Sequence, residues 1–193
     1  MIPALDYHPV VAMPAGYDVL DFTVPPDQRA PRTSAWSVGR YDEPRPTLYD
    51  QPMFGGDRIL HVGIDLGGPA GSDVFAFWGG RVASVADLDQ PGDYGPTIVT
   101  VHDLADRPLY ALHGHLARRE LDRWSVGDVV QRGQRLASLG AEAENGGWPP
   151  HLHFQLSWVP PVGGDIPGVV RLQDRDSALR RHPDPRIVLG PLY

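Results

Sequence analysis

Residues 148–157 read Trp148-Pro149-Pro150-His151-Leu152-His153-Phe154-Gln155-Leu156-Ser157, and from His151 onward they alternate between polar and apolar side chains. Leu152, Phe154 and Leu156 share one face of an extended chain, and the histidines, the glutamine and the serine share the other. This period of two is typical of a half-buried β-strand. Residues two apart on one face stand about 6–7 Å apart, so two imidazoles here can address one metal ion. We therefore interpret the stretch as a strand that carries a metal site.

The chain around this strand is rich in turn-forming residues, with 22 Gly and 21 Pro among 193 residues. Short apolar runs recur between Gly and Pro clusters, and long helical patterns are few. These features predict a mainly β fold with a compact, sandwich-like core of antiparallel sheet. The expected strands are Ile59–Ile64, Val74–Phe77, Arg81–Ala86, Thr97–His102, Leu109–His115, Asp128–Val130, Arg135–Leu139 and His151–Trp158.

The strand pattern divides the chain into three parts. Residues 56–158 hold the regular succession of strands and form the predicted β core. Residues 1–55 are rich in Pro and weakly periodic, which favours an extended arm packed on the core over a separate module. Residues 159–193 contain Pro and Gly pairs and lose the strand pattern. They are predicted to form a tail that packs on the core through Ile187–Leu189.

Composition argues against several classes of function. The formal net charge is −7, and all 17 basic residues are arginines that form no cluster larger than a pair, which argues against nucleic-acid binding. Without cysteine the chain has no disulfide, and any metal must take histidine and carboxylate ligands. No stretch reaches the length of a transmembrane span, and the N-terminus has no signal-peptide pattern. We expect a cytoplasmic protein, or an exported one if a leader has been removed.

Two histidine–aspartate pairs have the spacing HxxxD, although random placement of these residues gives roughly one such pair. His102 and Asp106 lie in a polar stretch typical of a hairpin loop, so we interpret them as structural. His61 and Asp65 lie among apolar residues, and on a straight strand they would be about 13 Å apart. A bend at Gly63 would bring them to one metal ion, because glycine tolerates bulges and positive φ.

Two histidine pairs have the spacing HxH. One is His151 and His153 on the strand described above, and the other is His113 and His115. The run Leu109–Leu116 is strand-like, so the imidazoles of the second pair are predicted to point to one face. From this run alone, a pair of structural histidines and a pair of functional ones are equally compatible with the pattern.

Four short blocks follow one another within residues 56–158: His61–Asp65, Gly114–Leu116, Val126–Gln134 and Pro150–Phe154. In order and spacing they resemble the lysostaphin-type zinc metallopeptidases, the murein endopeptidase family. The resemblance implies a compact antiparallel β core with its site in a groove between loops. His113 falls where that family usually carries another residue, often Tyr, so we interpret it as a structural residue or as a neighbour of the site.

The resemblance also implies one zinc ion (Zn2+) per chain, bound by His61, Asp65 and His153, with His115 and His151 as the catalytic histidines. Three protein ligands and one open position are typical of catalytic zinc, which lowers the pKa of a bound water to about 7. A base must then take the proton of the water, and a donor must stabilise the oxyanion or protonate the leaving amine. None of the four glutamates lies in the four blocks, which agrees with histidines in these roles.

Two hypotheses for function follow. The first is a zinc metalloendopeptidase that hydrolyses a Gly- or D-amino-acid-containing bond in a peptide or peptidoglycan-derived substrate. The second is an intracellular zinc domain that hydrolyses another small amide, or that only binds a ligand or a partner enzyme. Glu144–Gln155 with Pro183–Pro185 resembles an intracellular branch of the family, whose members are fused to a phosphotransferase-like domain and a class III aminotransferase. The presence of all five site residues favours an enzyme over a binding module.

Overall fold

Strands dominate the secondary structure, as the turn-rich composition predicts. The computed structural model describes residues 1–193. Two short helices, α1 (Arg175–Arg181) and α2 (Arg186–Leu189), lie near the C-terminus, and no helix is long and apolar enough to cross a membrane. The strands in chain order are β1 (Asp18–Val19), β2 (Ser37–Gly39), β3 (Glu43–Pro44), β4 (Arg58–His61), β5 (Ile64–Gly67), β6 (Asp73–Phe75), β7 (Gly80–Leu88), β8 (Gly95–His102), β9 (Leu109–Gly114), β10 (Val129–Val130), β11 (Arg135–Ser138), β12 (His151–Ser157) and β13 (Val169–Arg171).

Eight of these strands form the main sheet, in the order β1-β2-β5-β12-β9-β8-β7-β10. All neighbours in it are antiparallel except β1 and β2, which are parallel. β12 lies between β5 and β9, with His153 opposite Asp65 on one side and opposite Gly114 on the other. The strand that carries the HxH pair is therefore an interior strand, and both of its edges are hydrogen-bonded.

The two faces of β12 have different surroundings, as the alternation predicts. Leu152, Phe154 and Leu156 are fully buried in the main apolar cluster. The other layer of that cluster comes largely from the two-stranded sheet of β6 and β11 and the residues beside it: Val74, Ala76, Phe77, Leu136, Ala137 and Leu139. The expected mainly β, antiparallel and layered core is thus confirmed. The histidine face of β12 is left to the site.

The chain bends between β4 and β5, where the sequence predicts one strand, Ile59–Ile64. β4 ends at His61 and belongs to a separate three-stranded sheet of order β13-β4-β3, whereas β5 begins at Ile64 in the main sheet. The prediction of one strand over Ile59–Ile64 is therefore wrong, whereas the bend at Gly63 that a shared metal ion would require is present. Gly63 lies in the bend without a positive φ, and a Cβ there would stand 2.5 Å from His153 Cε1. Glycine is needed here because the His153 ring approaches the backbone closely.

The segments outside residues 56–158 contact the core at several points. β1 and β2 extend the main sheet beyond β5, and β3 pairs with β4. Val10 and Val11 belong to the main apolar cluster, as does Val188 near the C-terminus. Of the predicted anchor Ile187–Leu189, Val188 and the partly buried Leu189 pack on this cluster, but Ile187 is 46% exposed and its prediction as an anchor is wrong. The division of the chain into arm, core and tail stays a prediction.

Candidate metal centre

Three side chains from the first and fourth blocks converge beside β12. His61 Nε2 lies 3.1 Å from His153 Nδ1 and 3.2 Å from Asp65 Oδ1, and His153 Nδ1 lies 3.1 Å from Asp65 Oδ1. Ligands of a tetrahedral zinc ion, at about 2.0–2.1 Å from the metal, stand about 3.3 Å from one another. The three atoms therefore have the spacing and the donor types of a zinc site, and together they can hold a metal ion.

Each histidine of this trio presents one nitrogen to the others because its second nitrogen is hydrogen-bonded. His61 Nδ1 donates to the Arg40 carbonyl at 2.8 Å, and His153 Nε2 donates to Gln155 Oε1 at 3.0 Å. Gln155 Nε2 donates to the Pro167 carbonyl at 3.1 Å, which fixes the glutamine oxygen toward the imidazole. The lone pairs of His61 Nε2 and His153 Nδ1 therefore face the carboxylate.

His151 and His115 form a second pair of imidazoles beside the trio, with ring centroids 4.2 Å apart. His151 Nδ1 donates to the Pro149 carbonyl at 2.7 Å, and His115 Nδ1 donates to the Asn145 carbonyl at 2.8 Å. A carbonyl only accepts hydrogen bonds, so each neutral ring carries its proton on Nδ1 and a lone pair on Nε2. His151 Nε2 lies 3.8 Å from Asp65 Oδ1. Both rings can accept a proton next to the trio.

The backbone at the end of β9 separates His115 from His113. His115 has a φ of 62°, in the left-handed region that is unfavourable for a residue with a Cβ, and its ring lies against Tyr94. His113 stays in the strand, where its fully buried ring packs on Phe154 and its Nδ1 contacts the Ile98 carbonyl at 3.2 Å. The prediction that both imidazoles point to one face is wrong. Of the two, only His115 lies beside the trio.

The second HxxxD pair does not come together. His102 is buried against Phe77, with its Nδ1 3.0 Å from the Gly79 carbonyl and its Nε2 2.8 Å from Thr100 Oγ1. Asp106 is exposed in the following turn. Both nitrogens of His102 are therefore satisfied within the core, which agrees with the structural interpretation of this pair.

Comparison with known proteins identifies the family. The sequence profile described as Peptidase family M23 matches residues 60–163, which is more than half of the chain and spans the trio and the second imidazole pair. The chain belongs to peptidase family M23. It is accordingly a metallopeptidase, an enzyme of the hydrolase class. No curated protein matches the chain.

Solved structures resemble this M23 peptidase at low sequence identity. The catalytic domain of lysostaphin, the antimicrobial peptidase of Staphylococcus simulans, is 20% identical with a TM-score of 0.52, over 82% of this chain and 98% of that domain, and it shares the fold. A mutant catalytic domain of the prophage-encoded M23 protein EnpA from Enterococcus faecalis is 25% identical with a TM-score of 0.47, over 71% and 92%. A zinc-containing peptidase from Vibrio cholerae is 22% identical with a TM-score of 0.47; the match covers 83% of this chain and 40% of that one.

The site of this M23 peptidase opens into a cavity of about 590 Å³. Its lining includes the trio, His115 and His151, and the loop of Trp148–Pro150. It also includes side chains between residues 17 and 54, which precede the part matched by the family, among them Phe22, Arg29, Leu48, Tyr49 and Phe54. The N-terminal segment therefore contributes to the shape of the groove.

Burial and neighbouring charges set the protonation of the site. Burial and, secondly, the charge of Arg45 lower the pKa of His61 to about 4, against the opposing effect of Asp65. Burial also lowers the pKa of His115 well below its usual range, with the neighbouring His151 adding to this, and it lowers the pKa of His151. Burial raises the pKa of Asp65, but His61 and the Arg45 guanidinium more than offset this and hold that pKa well below its ordinary value. Neutral imidazoles with an ionised carboxylate are the forms that bind a metal.

The sequence analysis does not identify several residues that contact the site. Arg45 contacts Asp65, Gln155 contacts His153, and Asn145 holds the loop before β12 by hydrogen bonds to the backbone of Trp148. Gln155 is the one with a signal, since it shares the face of the two histidines on an alternating strand. The other contacts join residues far apart in the chain, or a loop whose course the composition does not specify.

Proposed function

We propose that the chain is a zinc-dependent metalloendopeptidase that hydrolyses a peptide bond in peptidoglycan-type peptides containing Gly or D-amino acids. The observation that carries the proposal is the convergence of His61, Asp65 and His153 within 3.2 Å of one another, beside a second pair of imidazoles. Lysostaphin, whose fold the chain shares, is described as an antimicrobial peptidase. This description supports the wall-peptide substrate class.

In this proposal His61 Nε2, His153 Nδ1 and one oxygen of Asp65 hold one zinc ion per chain. Two histidines and a carboxylate leave the fourth position of a tetrahedral site for water or substrate, as in catalytic zinc sites. Bound zinc supplies Lewis acidity, which polarises the scissile carbonyl and lowers the pKa of water. The Arg40 carbonyl and Gln155 keep the two imidazoles in the tautomers that this ligation requires.

His151 and His115 move the proton. His151 Nε2, 3.8 Å from the Asp65 oxygen, accepts a proton from the attacking water, while its Nδ1 stays bonded to the Pro149 carbonyl. The water oxygen forms a bond to the carbonyl carbon, and the C–N bond breaks. The proton then passes to the leaving amine from the His151–His115 pair, whose ring centroids are 4.2 Å apart. The products are a carboxylic acid and an amine, and no external oxidant or reductant is needed.

The alternative is an intracellular zinc domain that acts on a non-murein amide, or that only binds a ligand or a partner enzyme. It is favoured by one sequence observation, the resemblance of Glu144–Gln155 and Pro183–Pro185 to an intracellular branch of the family. In that case the metal site would be retained, but the substrate groove would accept a different molecule. The compartment stays a prediction.

Turnover tests the proposal. The zinc-loaded protein is incubated with cross-linked muropeptides and with linear glycine peptides, and the products are identified by mass spectrometry. We expect a new amine terminus, and a loss of about 10²–10⁴ in rate for His151→Ala with its zinc retained. His8→Ala is the matched control, because His8 lies outside the groove against Phe75.

The outcomes separate the two functions. One zinc per chain with no cleavage of either substrate class would exclude the wall-peptide reaction and favour the non-murein alternative. Full activity in a zinc-containing His151→Ala variant would show that the assignment of His151 is wrong. Loss of zinc in that same variant would reassign His151 from proton transfer to metal binding.

A further inference from the structure

Arg45 is a buried arginine whose contacts converge on one of the proposed metal ligands. It follows β3, outside the residues matched by the family, and only 2% of its surface is exposed. Its Nη1 lies 2.6 Å from Asp65 Oδ2 and 3.1 Å from the Tyr49 hydroxyl, and its Nε lies 2.9 Å from Glu43 Oε2. Burying a guanidinium this fully is unfavourable unless its charge and its donors are matched.

The contact with Arg45 divides the two oxygens of Asp65 between different tasks. Oδ2 accepts the charge-assisted hydrogen bond from Arg45, at a distance typical of the strong class. Oδ1 is left 3.1 Å from His153 Nδ1 and 3.2 Å from His61 Nε2. With Oδ2 occupied, the carboxylate has one oxygen available to a metal ion, directed at the point where the two imidazoles meet.

The backbone around Arg45 is adapted to this arrangement. Gly39 in β2 is paired with Asp65 in β5, and a Cβ on Gly39 would stand 2.8 Å from Arg45 Nη2 and 2.9 Å from Asp65 Oδ2. The Arg40 carbonyl accepts from both His61 Nδ1, at 2.8 Å, and Arg45 Nη2, at 3.3 Å. Residues 39–45 thus contact two of the three proposed ligands from one side.

Glu43 balances the charge of the arginine. The Glu43 side chain is as buried as that of Arg45, and together they form an ion pair with no net charge. Without Glu43, the positive charge of Arg45 would cancel the negative charge of Asp65, and the site would attract a cation less strongly. With it, the cluster of Glu43, Arg45 and Asp65 keeps one net negative charge next to the two imidazoles.

We propose that Arg45 is a positioning residue for the metal centre: it holds Asp65 in a one-oxygen orientation toward the ion, while Glu43 cancels its charge. The proposal rests on the zinc site of the proposed function. It predicts that zinc affinity in this chain depends on a segment that precedes the family-matched part.

Zinc affinity measured by competition with a chromophoric chelator tests this role without any substrate. The variants are Arg45→Lys, which keeps the charge but not the forked donors, and the double variant Glu43→Gln with Arg45→Met, which removes both members of the buried ion pair so that Glu43 is not left without a partner. We expect affinity to fall by about 10–100-fold in the double variant, with a smaller loss in Arg45→Lys. The matched control is Arg175→Met, because Arg175 Nε in α1 pairs at 2.7 Å with Asp42, directly before β3, and does not touch the trio.

Cobalt substitution reports the geometry of the site independently of affinity. When Arg45 is replaced, we expect a visible spectrum that indicates a higher coordination number of cobalt, because Asp65 can then use both oxygens. The spectrum of Arg175→Met should be unchanged. A folded double variant with unaltered zinc affinity and cobalt spectrum would overturn the proposal. So would a structure of the zinc-loaded native protein in which Asp65 binds through both oxygens. Failure of the native protein to bind one zinc per chain would instead refute the proposed function.

Discussion

Asp65 and Glu120 are both acids that lie largely inside the protein against an arginine, and their surroundings differ in one respect. Both oxygens of Glu120 have donors: Arg135 reaches Oε2 at 3.0 Å and Oε1 at 2.8 Å, and Ser138 Oγ donates to Oε1 at 2.9 Å. Asp65 has such a donor on Oδ2 only. Its Oδ1 faces imidazole nitrogens whose protons are held on the opposite side of each ring.

The difference distinguishes a structural acid from one suited to bind a cation. Glu120 is satisfied by protein donors, and its network joins the turn at Arg118–Arg123 to β11. At the trio, three acceptor atoms lie within 3.2 Å of one another with no proton between them, an arrangement that a cation stabilises. Burial and an arginine partner are therefore insufficient to identify a metal ligand. What separates the two acids is whether neighbouring groups direct protons at both carboxylate oxygens or at only one.

The largest expected effect is on zinc. Asp65→Asn should weaken zinc binding by more than about 100-fold and abolish turnover. Losing a residue that only hydrogen-bonds to a metal ligand typically weakens metal binding by about 10–100-fold, and losing a ligand itself should weaken it more. Glu120→Gln should bind zinc as the native protein does. Zinc at about 100 times its Kd should raise the free energy of unfolding of the native protein and of Glu120→Gln by about 2.7 kcal/mol, but not that of Asp65→Asn. Thermal unfolding with and without zinc measures this difference. Zinc-dependent stabilisation of Asp65→Asn would remove the distinction between the two acids.

A smaller effect is expected from the residue that orients His153. Gln155→Leu should weaken zinc binding by about 10–100-fold, because His153 Nε2 loses its acceptor and either nitrogen can then carry the proton. Ser157→Ala is the control on the same strand, since Ser157 bonds only to the backbone of Val159. Chelator competition on the two folded variants measures both affinities. Equal zinc affinity in the two would mean that the orientation of the donors around the trio matters little.

The smallest expected effect is that of replacing Glu120, the structural acid, on the stability of the protein. Glu120→Gln should lower the free energy of unfolding by about 1–3 kcal/mol at pH 7, because it weakens charge-assisted bonds to Arg135. The hydrogen bonds from Arg135 lower the pKa of Glu120 to about 2, against the opposing effect of burial. In the unfolded chain the pKa of a glutamate is about 4.3.

The sign of the pH dependence follows from these values. Because the folded pKa lies below the unfolded one, the ionised form stabilises the protein above about pH 4.3, and this contribution is lost as the pH falls toward about 2. Denaturant titrations should therefore show a constant gap between the native protein and Glu120→Gln above about pH 5, which closes in acid. A gap that persists at pH 2 would show that the ionised pair is not its source.

Much of the core was predictable because it depends on local patterns. The alternation from His151 to Ser157 predicts both the strand and its apolar face. Alternate side chains of a strand lie on the same face, so a sequence period of two places all the apolar residues together. The bend near Gly63 was predictable only from the hypothesis that His61 and Asp65 share a metal ion, because on a straight strand they would be about 13 Å apart. The close approach that requires glycine at position 63 was not predictable, because the His153 ring that causes it lies 90 positions later in the chain.

The remaining features depend on contacts that no local pattern contains. The different surroundings of His113 and His115 follow from the left-handed backbone of His115, which the strand-like sequence around it does not indicate. Arg45 reads as a surface residue in a Pro-rich segment, yet it is buried because Glu43 and Asp65 neutralise it. A buried charge is predicted only when its partners are known, and these partners come from different sheets.

The position of β12 has a consequence for how the chain folds. It follows β5 and β9 in the chain, yet it lies between them in the sheet, and His61 and His153 are 92 positions apart. Until β12 has been made, β5 and β9 each present an unpaired edge, and His61 and Asp65 lack the third proposed metal ligand. Closing so long a loop is slow compared with local pairing. The proposed metal site is therefore complete only once β12 has paired, and the two edges are open to association with other chains until then.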